Sequence, residues 1–573
     1  MKKNILYICC LLCFGVANGQ APAFEWAKNF GGISSTSFAY TVALDKSSNV
    51  YTMGSFYGTV DFDPSSSVFN IISDPTSSDI FISKLDQYGN FVWAKKVGGT
   101  MQENGFSIVV DSIGSVYITG YFQGVADFDP GIGVFNLSSV GPVGALNMFI
   151  SKLDSLGNFV WAKNLGGTSD DEVFSIAFDA FNNILATGFF QGTVDFDPGV
   201  GVYNLTTGGK DAFVLNLDTS GDFIWAKQFA GIGMSGGCVG ASVLTNSDGS
   251  IFTIGSFQGI VDFDPDSTVF SLTSSGINDV FVTKLNSSGS FVWARKIGGI
   301  GNDQGVATTL DAFGNILITG SFEDLVDFNP NGGIANLISD SASSNLFILK
   351  LDTASNFVWV KNIGRTGNNS GNSIAVDVFG NVYATGNFAG TSDFDPGLGV
   401  FNLTSFGYQD ICILKLDALG DFLWAKNIEG NGINSRGTSI AIDTSGNLFF
   451  TGYFDGVADF DFGLAVYNLT SLSGEDVFVL KLSQTPTGIN EAITPNNISI
   501  YPNPNNGIFN ISFASQIKNA SIEVYNSLGS LVYKQEIINQ ENSIELSNEA
   551  SGLYFVKVMS ENKIVGMGKI VKQ

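Results

Sequence analysis

"GNSIAVDVFGNVYATG" (371–386) and "DICILKLDALGDFLWAKNIEG" (410–430) carry the pattern that decides the fold. Ser373–Asp377 and Val382–Gly386 flank a Val-Phe-Gly-Asn turn and read as two short strands. Asp410–Leu416 and Phe422–Lys426 read as a third and a fourth. They are joined by Asp417-Ala-Leu-Gly-Asp421, a spacing that suits a type I turn followed by a glycine bulge. Four antiparallel strands rich in Val, Ile and aromatic residues describe one blade of a β-propeller.

The unit recurs. All seven tryptophans (Trp26, Trp93, Trp161, Trp225, Trp293, Trp359 and Trp424) fall in its fourth strand, at separations of 67, 68, 64, 68, 66 and 65. A period of that size marks units that cannot bury their apolar faces alone. The ends are complementary. The first tryptophan strand, Phe24–Lys28, has no three strands before it, and the last unit stops at Asp476–Leu482 with no tryptophan strand after it. Docking one onto the other closes a ring and removes two open sheet edges. The expectation is an all-β chain whose residues 20–483 form a seven-bladed β-propeller of four-stranded antiparallel blades, closed by the N-terminal strand. The two quoted stretches resemble the SBBP family of bacterial β-propeller repeats, over about residues 24–483. That resemblance implies the fold and is nearly silent on activity, because propellers host both enzymes and binding proteins.

Residues 1–19 read as a signal peptide. Lys2 and Lys3 precede an apolar run from Ile5 to Val16, and Ala17-Asn18-Gly19 supplies small residues for cleavage between Gly19 and Gln20. Of the cysteines, Cys238 and Cys412 then remain, in different blades, and read as buried unpaired thiols. No later stretch approaches ~18 uninterrupted apolar residues, so no transmembrane span is expected in the mature chain. Formal charge is −26, and losing two lysines leaves 25 basic against 53 acidic residues, or −28. Nucleic acid and anionic membrane are poor partners for that field. The absence of histidine excludes Ser-His-Asp and Cys-His nucleophiles, imidazole bases and His-ligated zinc or iron.

Residues 484–497 read as a Pro, Thr and Asn linker, and 498–573 as a small β-sandwich of short strands with nearly balanced charge. Three motifs stand in it: Tyr501-Pro502-Asn503-Pro504-Asn-Asn-Gly507, Val524-Tyr-Asn-Ser-Leu-Gly529 and Ser551-Gly552-Leu-Tyr554-Phe-Val-Lys557, followed by a basic-apolar end at Lys569–Lys572. In that order they resemble the type A C-terminal sorting domain of type IX secretion cargo. The resemblance implies Sec export through the periplasm, the type IX machinery as partner, and a secreted or outer-membrane cell-surface destination. It also implies, often, removal of the tail with attachment to surface lipopolysaccharide.

The propeller repeats a pair of acids around a phenylalanine. The first acid is Asp61, Asp127, Asp195, Asp262, Asp327, Asp393 and Asp459; the second is Asp except for Asn329. Asn329 keeps turn chemistry and gives up charge, so the second position reads as an acceptor in a β-turn, Pro-containing in six of the seven copies. The first position has no neutral stand-in and remains the candidate ligand for calcium or for a cationic or hydroxyl-rich molecule. These loops connect second to third strands and are expected to crowd one face as a ring. No catalytic set confined to one or two units is legible: Arg295 replaces the lysine of the repeat, and Arg365 and Arg436 are expected in adjacent links between blades. The expectation is a non-enzymatic binding or adhesion scaffold for a glycan or surface-protein ligand. The alternatives are a propeller hydrolase or lyase using carboxylates, and a calcium-stabilised structural surface protein. No oligomeric state follows from the sequence.

Overall fold

The computed structural model describes residues 22–484 and 498–572, except 341–342, 365–366, 433, 464, 514–519, 527–530, 538 and 561–562. The expected signal peptide and its Gly19–Gln20 cleavage site, most of the linker, Arg365 and Gly529 lie outside the described residues. Every regular element described is a β-strand, and none is a helix able to cross a membrane. The chain forms two units, Met1–Thr485 and Pro486–Gln573.

The quoted stretches form one blade of the first unit. Ser370–Val376, Val382–Phe388, Asp410–Leu416 and Phe422–Gly430 pair in sequence order, all antiparallel. The Asp417–Asp421 turn closes with Gly420 N donating to Asp417 O at 3.0 Å. Gly420 has φ +82°, the left-handed region that a side chain disfavours. The register slips between Lys415 and Leu416, which is the bulge expected from the spacing. The second strand is buried along its whole length because it lies between the inner and third strands and under both neighbouring blades.

The last blade is completed by the start of the chain. Its sheet runs Ala23–Phe30, Asp476–Ser483, Leu448–Phe454, Arg436–Ile442, with Phe24 opposite Leu482 and Phe30 opposite Val477. Trp26 and Phe30 are buried in one cluster with Phe449 and Val479 of the same blade and Phe56 and Phe81 of the first.

The seven inner strands complete a circle, each packed beside the inner strand of the blade before and after it, with Thr36–Leu44 touching both Glu103–Val110 and Arg436–Ile442. A repeated hydroxyl stitches neighbours together. Ser439 Oγ accepts Val42 N, Ser107 Oγ accepts Ile176 N, Ser175 Oγ accepts Val243 N and Ser373 Oγ accepts Ile440 N, each at 3.2 Å. Each such serine follows a bulge in its inner strand, and the bulge releases one residue from the ladder.

The second unit has a three-stranded sheet (Ile498–Tyr501, Ile508–Phe513, Glu541–Glu545) and a four-stranded one (Leu531–Glu536, Ala520–Asn526, Gly552–Ser560, Lys563–Lys572). They share one core that includes Phe509, Ile511, Ile522, Val524, Ile544 and Val556. The final strand, Lys563–Lys572, was not legible as such, because Gly566 and Gly568 interrupt its apolar alternation.

Candidate functional site

The paired acids are hairpin caps. Between second and third strands each blade inserts a small hairpin, such as Thr59–Asp61 with Asn70–Ile72 or Val125–Asp127 with Asn136–Ser138. The first acid's Oδ1 accepts two backbone N–H groups across the loop. Asp127 takes Asp129 N at 3.0 Å and Phe135 N at 2.8 Å. Asp195 takes Asp197 N at 3.1 Å and Tyr203 N at 2.8 Å. Asp61, Asp262, Asp327, Asp393 and Asp459 do the same. The second acid accepts the N–H two residues on, and Asn329 does so equally, to Asn331 N at 3.1 Å. The phenylalanine between them is a core plug: Phe128 is fully buried, edge-on to Phe122 at 5.4 Å and against Phe149 at 4.9 Å.

Each hairpin also leans on the preceding blade. Asp127 pairs with Gly98, Asp262 with Ala230, Asp327 with Gly298 and Asp459 with Glu429. Asp61 bridges to Gly31 and Asp195 to Gly166, and Asp393 O accepts Gly364 N at 3.0 Å. These partners end outer strands, so the seven first acids stand one per seam at the outer radius. Among the described residues no three Asp, Glu or Cys come together to hold a metal. Two close approaches explain the Gly-Gly that ends several outer strands: a Cβ on Gly98 would lie 2.3 Å from Oδ1 of Asp79 in the adjacent strand of its own blade, and one on Gly99 2.1 Å from Val125 O of the buttressing hairpin.

The symmetry breaks at the central channel. The residue released by each inner-strand bulge, with the residue two before it, differs from blade to blade: Phe38 and Tyr40, Asn104 and Phe106, Glu172 and Phe174, then Val239 and Ala241, Gln304 and Val306, Ser370 and Asn372, Arg436 and Thr438. The first three blades and the last supply an arc of aromatic rings. Phe38 meets Tyr453 edge-on at 4.9 Å, Tyr40 meets Phe106 at 5.6 Å, Phe106 meets Phe174 at 5.2 Å and Phe174 meets Phe189 at 5.9 Å. Phe38, Tyr40, Phe106 and Phe174 are each only partly buried.

Charged and amide groups border this arc. Lys210 Nζ stands 3.7 Å over the Phe189 ring, a cation–π contact. Burial pushes the Glu172 carboxyl up to about 7, with Lys210 pulling it back and Asp170 raising it further. Burial likewise raises the Tyr40 phenol. On the other side Arg436 Nε donates to Asn387 Oδ1 at 3.0 Å, which also receives Asn372 Nδ2 at 3.1 Å. Arg436 thus opens the inner strand of the last blade instead of lying in a link between blades. Beside Lys210 a recess of about 300 Å³ opens toward Val239, Ser256, Gln258 and Asn278. The pattern was missed in the sequence because it occupies variable positions of the repeat. Aligning the inner strands on their bulges is the signal that finds it.

In the second unit the sorting motifs meet around the chain end. Asn503 Oδ1 accepts Val571 N and Asn505 N donates to Val571 O, both at 2.9 Å. Gly507 N donates to Asn505 Oδ1 at 2.8 Å. Lys572 is buried, its Nζ donating to Leu546 O at 2.9 Å, to Ser547 O at 3.1 Å and to Glu549 O. Gly552 and Tyr554 pair with Lys572 and Ile570, and the Tyr554 hydroxyl donates to Ala550 O at 2.6 Å. Tyr501 donates to Glu541 at 2.6 Å, and the bonds preceding Pro502 and Pro504 are cis.

Residues 499–573 match the secretion system C-terminal sorting domain family. Over 509 residues the chain is 25% identical to the uncharacterised WD repeat-containing protein L264 of Acanthamoeba polyphaga mimivirus, covering 76% of this chain but 36% of that protein. The chain thus spans about a third of that relative's length. Among solved structures, Sqt1 of Chaetomium thermophilum is similar at 11% identity and a TM-score of 0.36, over 81% of this chain and all of Sqt1. PorZ, a surface component of the type IX secretion system of Porphyromonas gingivalis, is similar at 13% identity and a TM-score of 0.15, over 96% of this chain and all of PorZ. The sorting domain marks the chain as type IX cargo, delivered to the cell surface or the extracellular space.

Proposed function

We propose that the chain is a surface-delivered, non-enzymatic binding scaffold whose propeller holds a glycan at the mouth of its central channel. The observation that carries this reading is the one-sided aromatic arc from Tyr453 through Phe38 and Phe106 to Phe189, set inside an otherwise repeated frame. All seven blades vary at these positions, and the aromatic rings gather on one side of the axis. Partly exposed rings bordered by Arg436, Asn387, Glu172 and Lys210 suit a ligand with apolar faces and many hydroxyls. The resemblance to SBBP repeats agrees with this reading and adds no chemistry of its own.

A second reading rests on Glu172. Burial raises the Glu172 carboxyl to about 7, the direction that a general acid in glycoside hydrolysis requires. One experiment separates the two: binding of the full chain to an array of neutral and acidic glycans, run beside a turnover assay on the glycans it retains. Saturable binding without turnover, weakened by Phe106→Ala, supports the scaffold. Turnover abolished by Glu172→Gln supports the hydrolase, and no binding to any glycan contradicts both.

A further inference from the structure

A second repeated feature lies far from the channel. In six of the seven hairpins the residue whose N–H meets the first acid is aromatic: Phe69, Phe135, Tyr203, Phe270, Phe401 and Tyr467. Each ring stacks at 4.7–5.0 Å on the phenylalanine that opens the outer strand of its blade. Each nevertheless stays exposed, between 36% for Phe270 and 41% for Phe69. A ring needed only for packing would sink further, as Phe128 and its counterparts do. In the seventh hairpin Ala335 takes the place, with its N–H still 2.9 Å from Asp327 Oδ1, so the hairpin folds without the ring.

Between the sixth and seventh blades one of these rings, Phe401, borders a groove floored by an outer strand. The groove has a volume of about 350 Å³, within the usual range of ligand clefts, about 300–1,000 Å³. Phe401 and Leu403 form one wall, Lys426 and Glu429 the floor, and Asp461 and Phe462 of the next hairpin the other wall. At two other seams a polar bridge joins the outer strand to the next hairpin, Lys227 Nζ to Asp266 at 2.8 Å and Arg295 Nε to Asn331 Oδ1 at 3.0 Å. A flat apolar wall facing donors and acceptors is the chemistry of a sugar ring, which has a C–H face and a rim of hydroxyls. The net charge of −26 and the acids beside each ring oppose an anionic polymer.

We propose that the rim grooves are repeated sites for neutral glycans, distinct from the channel mouth, with the half-exposed ring as platform for a pyranose face. Sites spaced around a disc engage a polymer several at a time, so weak single contacts add through effective concentration.

The test is affinity electrophoresis of the full chain in gels containing cellulose derivative, starch or galactomannan, with melting temperature and sedimentation velocity on the same samples. The expected result is retention of the wild type by at least one polymer. The triple variant Phe69→Ala, Phe135→Ala, Phe401→Ala should lose it at least tenfold, while Phe379→Ala, which removes an exposed ring from the Asp377–Asn381 turn and touches neither site, leaves it unchanged. Ala335→Phe, made in the otherwise native chain, should increase retention and keeps the test decisive if the triple variant fails to fold. Three outcomes overturn the proposal: no retention by any of the polymers, unchanged retention when the three rings are removed from a folded protein, or loss of retention in Phe106→Ala alone. Wild-type oligomers that the triple variant dissolves, with glycan retention unchanged, would assign the rings to self-association instead.

Discussion

Lys28 lies opposite Val479, pairing the start of the first unit with its last strand. The ring is therefore closed by hydrogen bonds and packing rather than by chain continuity. Trp26→Ala should empty a site shared with Phe449 and Val479 and cost about 3–5 kcal/mol, the usual range for truncating a buried aromatic. Deleting Ala23–Phe30 should leave the edge of Asp476–Ser483 open and the protein prone to associate. Thermal melts and sedimentation of both variants check this. A deletion variant that stays monomeric with the native melting temperature contradicts closure at this seam.

The hairpin acids predict an asymmetry between two substitutions. Asp195→Ala removes the acceptor of two backbone N–H groups and should cost about 1–3 kcal/mol, whereas Asp195→Asn keeps an oxygen in place and should cost less. Because the first acids stand one per seam and no three acids gather among the described residues, millimolar calcium is expected to leave the melting temperature unchanged. A rise that chelator reverses would restore the seven acids as cation ligands.

Buried acids at the blade seams set a pH dependence opposite to that of most proteins. Burial pushes Glu103 up to about 9, Asp303 and Asp476 to about 7, and Asp171 and Asp410 to about 6. In each case the folded chain holds the proton more tightly than the unfolded one. Their stabilisation is complete below the unfolded carboxyl range, about 4, and is lost as pH climbs through 6 to 9. Turn-capping acids such as Asp86 and Asp154 are held below the ordinary value by bonds from Asn90 and Asn158 and act in the other direction, only in stronger acid. The melting temperature should therefore be higher at pH 5 than at pH 8.5. Glu103→Gln, which mimics the protonated carboxyl, should flatten the upper part of that slope. A melting temperature that increases from pH 5 to 8.5 contradicts the assignment.

Lys572→Met predicts an effect on export. The substitution leaves the carbonyls of Leu546, Ser547 and Glu549 without their ammonium donor and should destabilise the sorting unit by about 1–3 kcal/mol. Cell fractionation should then show less protein at the surface and more in the periplasm. An unchanged distribution would make Lys572 dispensable for sorting.

The repeat was legible because a blade is a local object. The tryptophan spacing, the Gly420-type bulge and the complementary ends at Phe24 and Leu482 each follow from contiguous residues. The role of the paired acids was half legible: Asn329 pointed to turn chemistry at the second position, but the reach of Asp61 to Phe69 depends on a hairpin whose three-residue strands are too short to announce themselves. The channel mouth was not legible. Phe38 and Tyr453 touch only because the ring closes, and nothing within a single repeat distinguishes a variable residue at the axis from one in solvent.

A crystal structure of the full chain with the oligosaccharide that it retains best tests the channel mouth directly. Sugar should stack over Phe38 and Phe106, hydrogen-bonded to Arg436 or Asn387, with Glu172 at its edge. Sugar found only elsewhere on the molecule, with the aromatic arc bare, would contradict that placement.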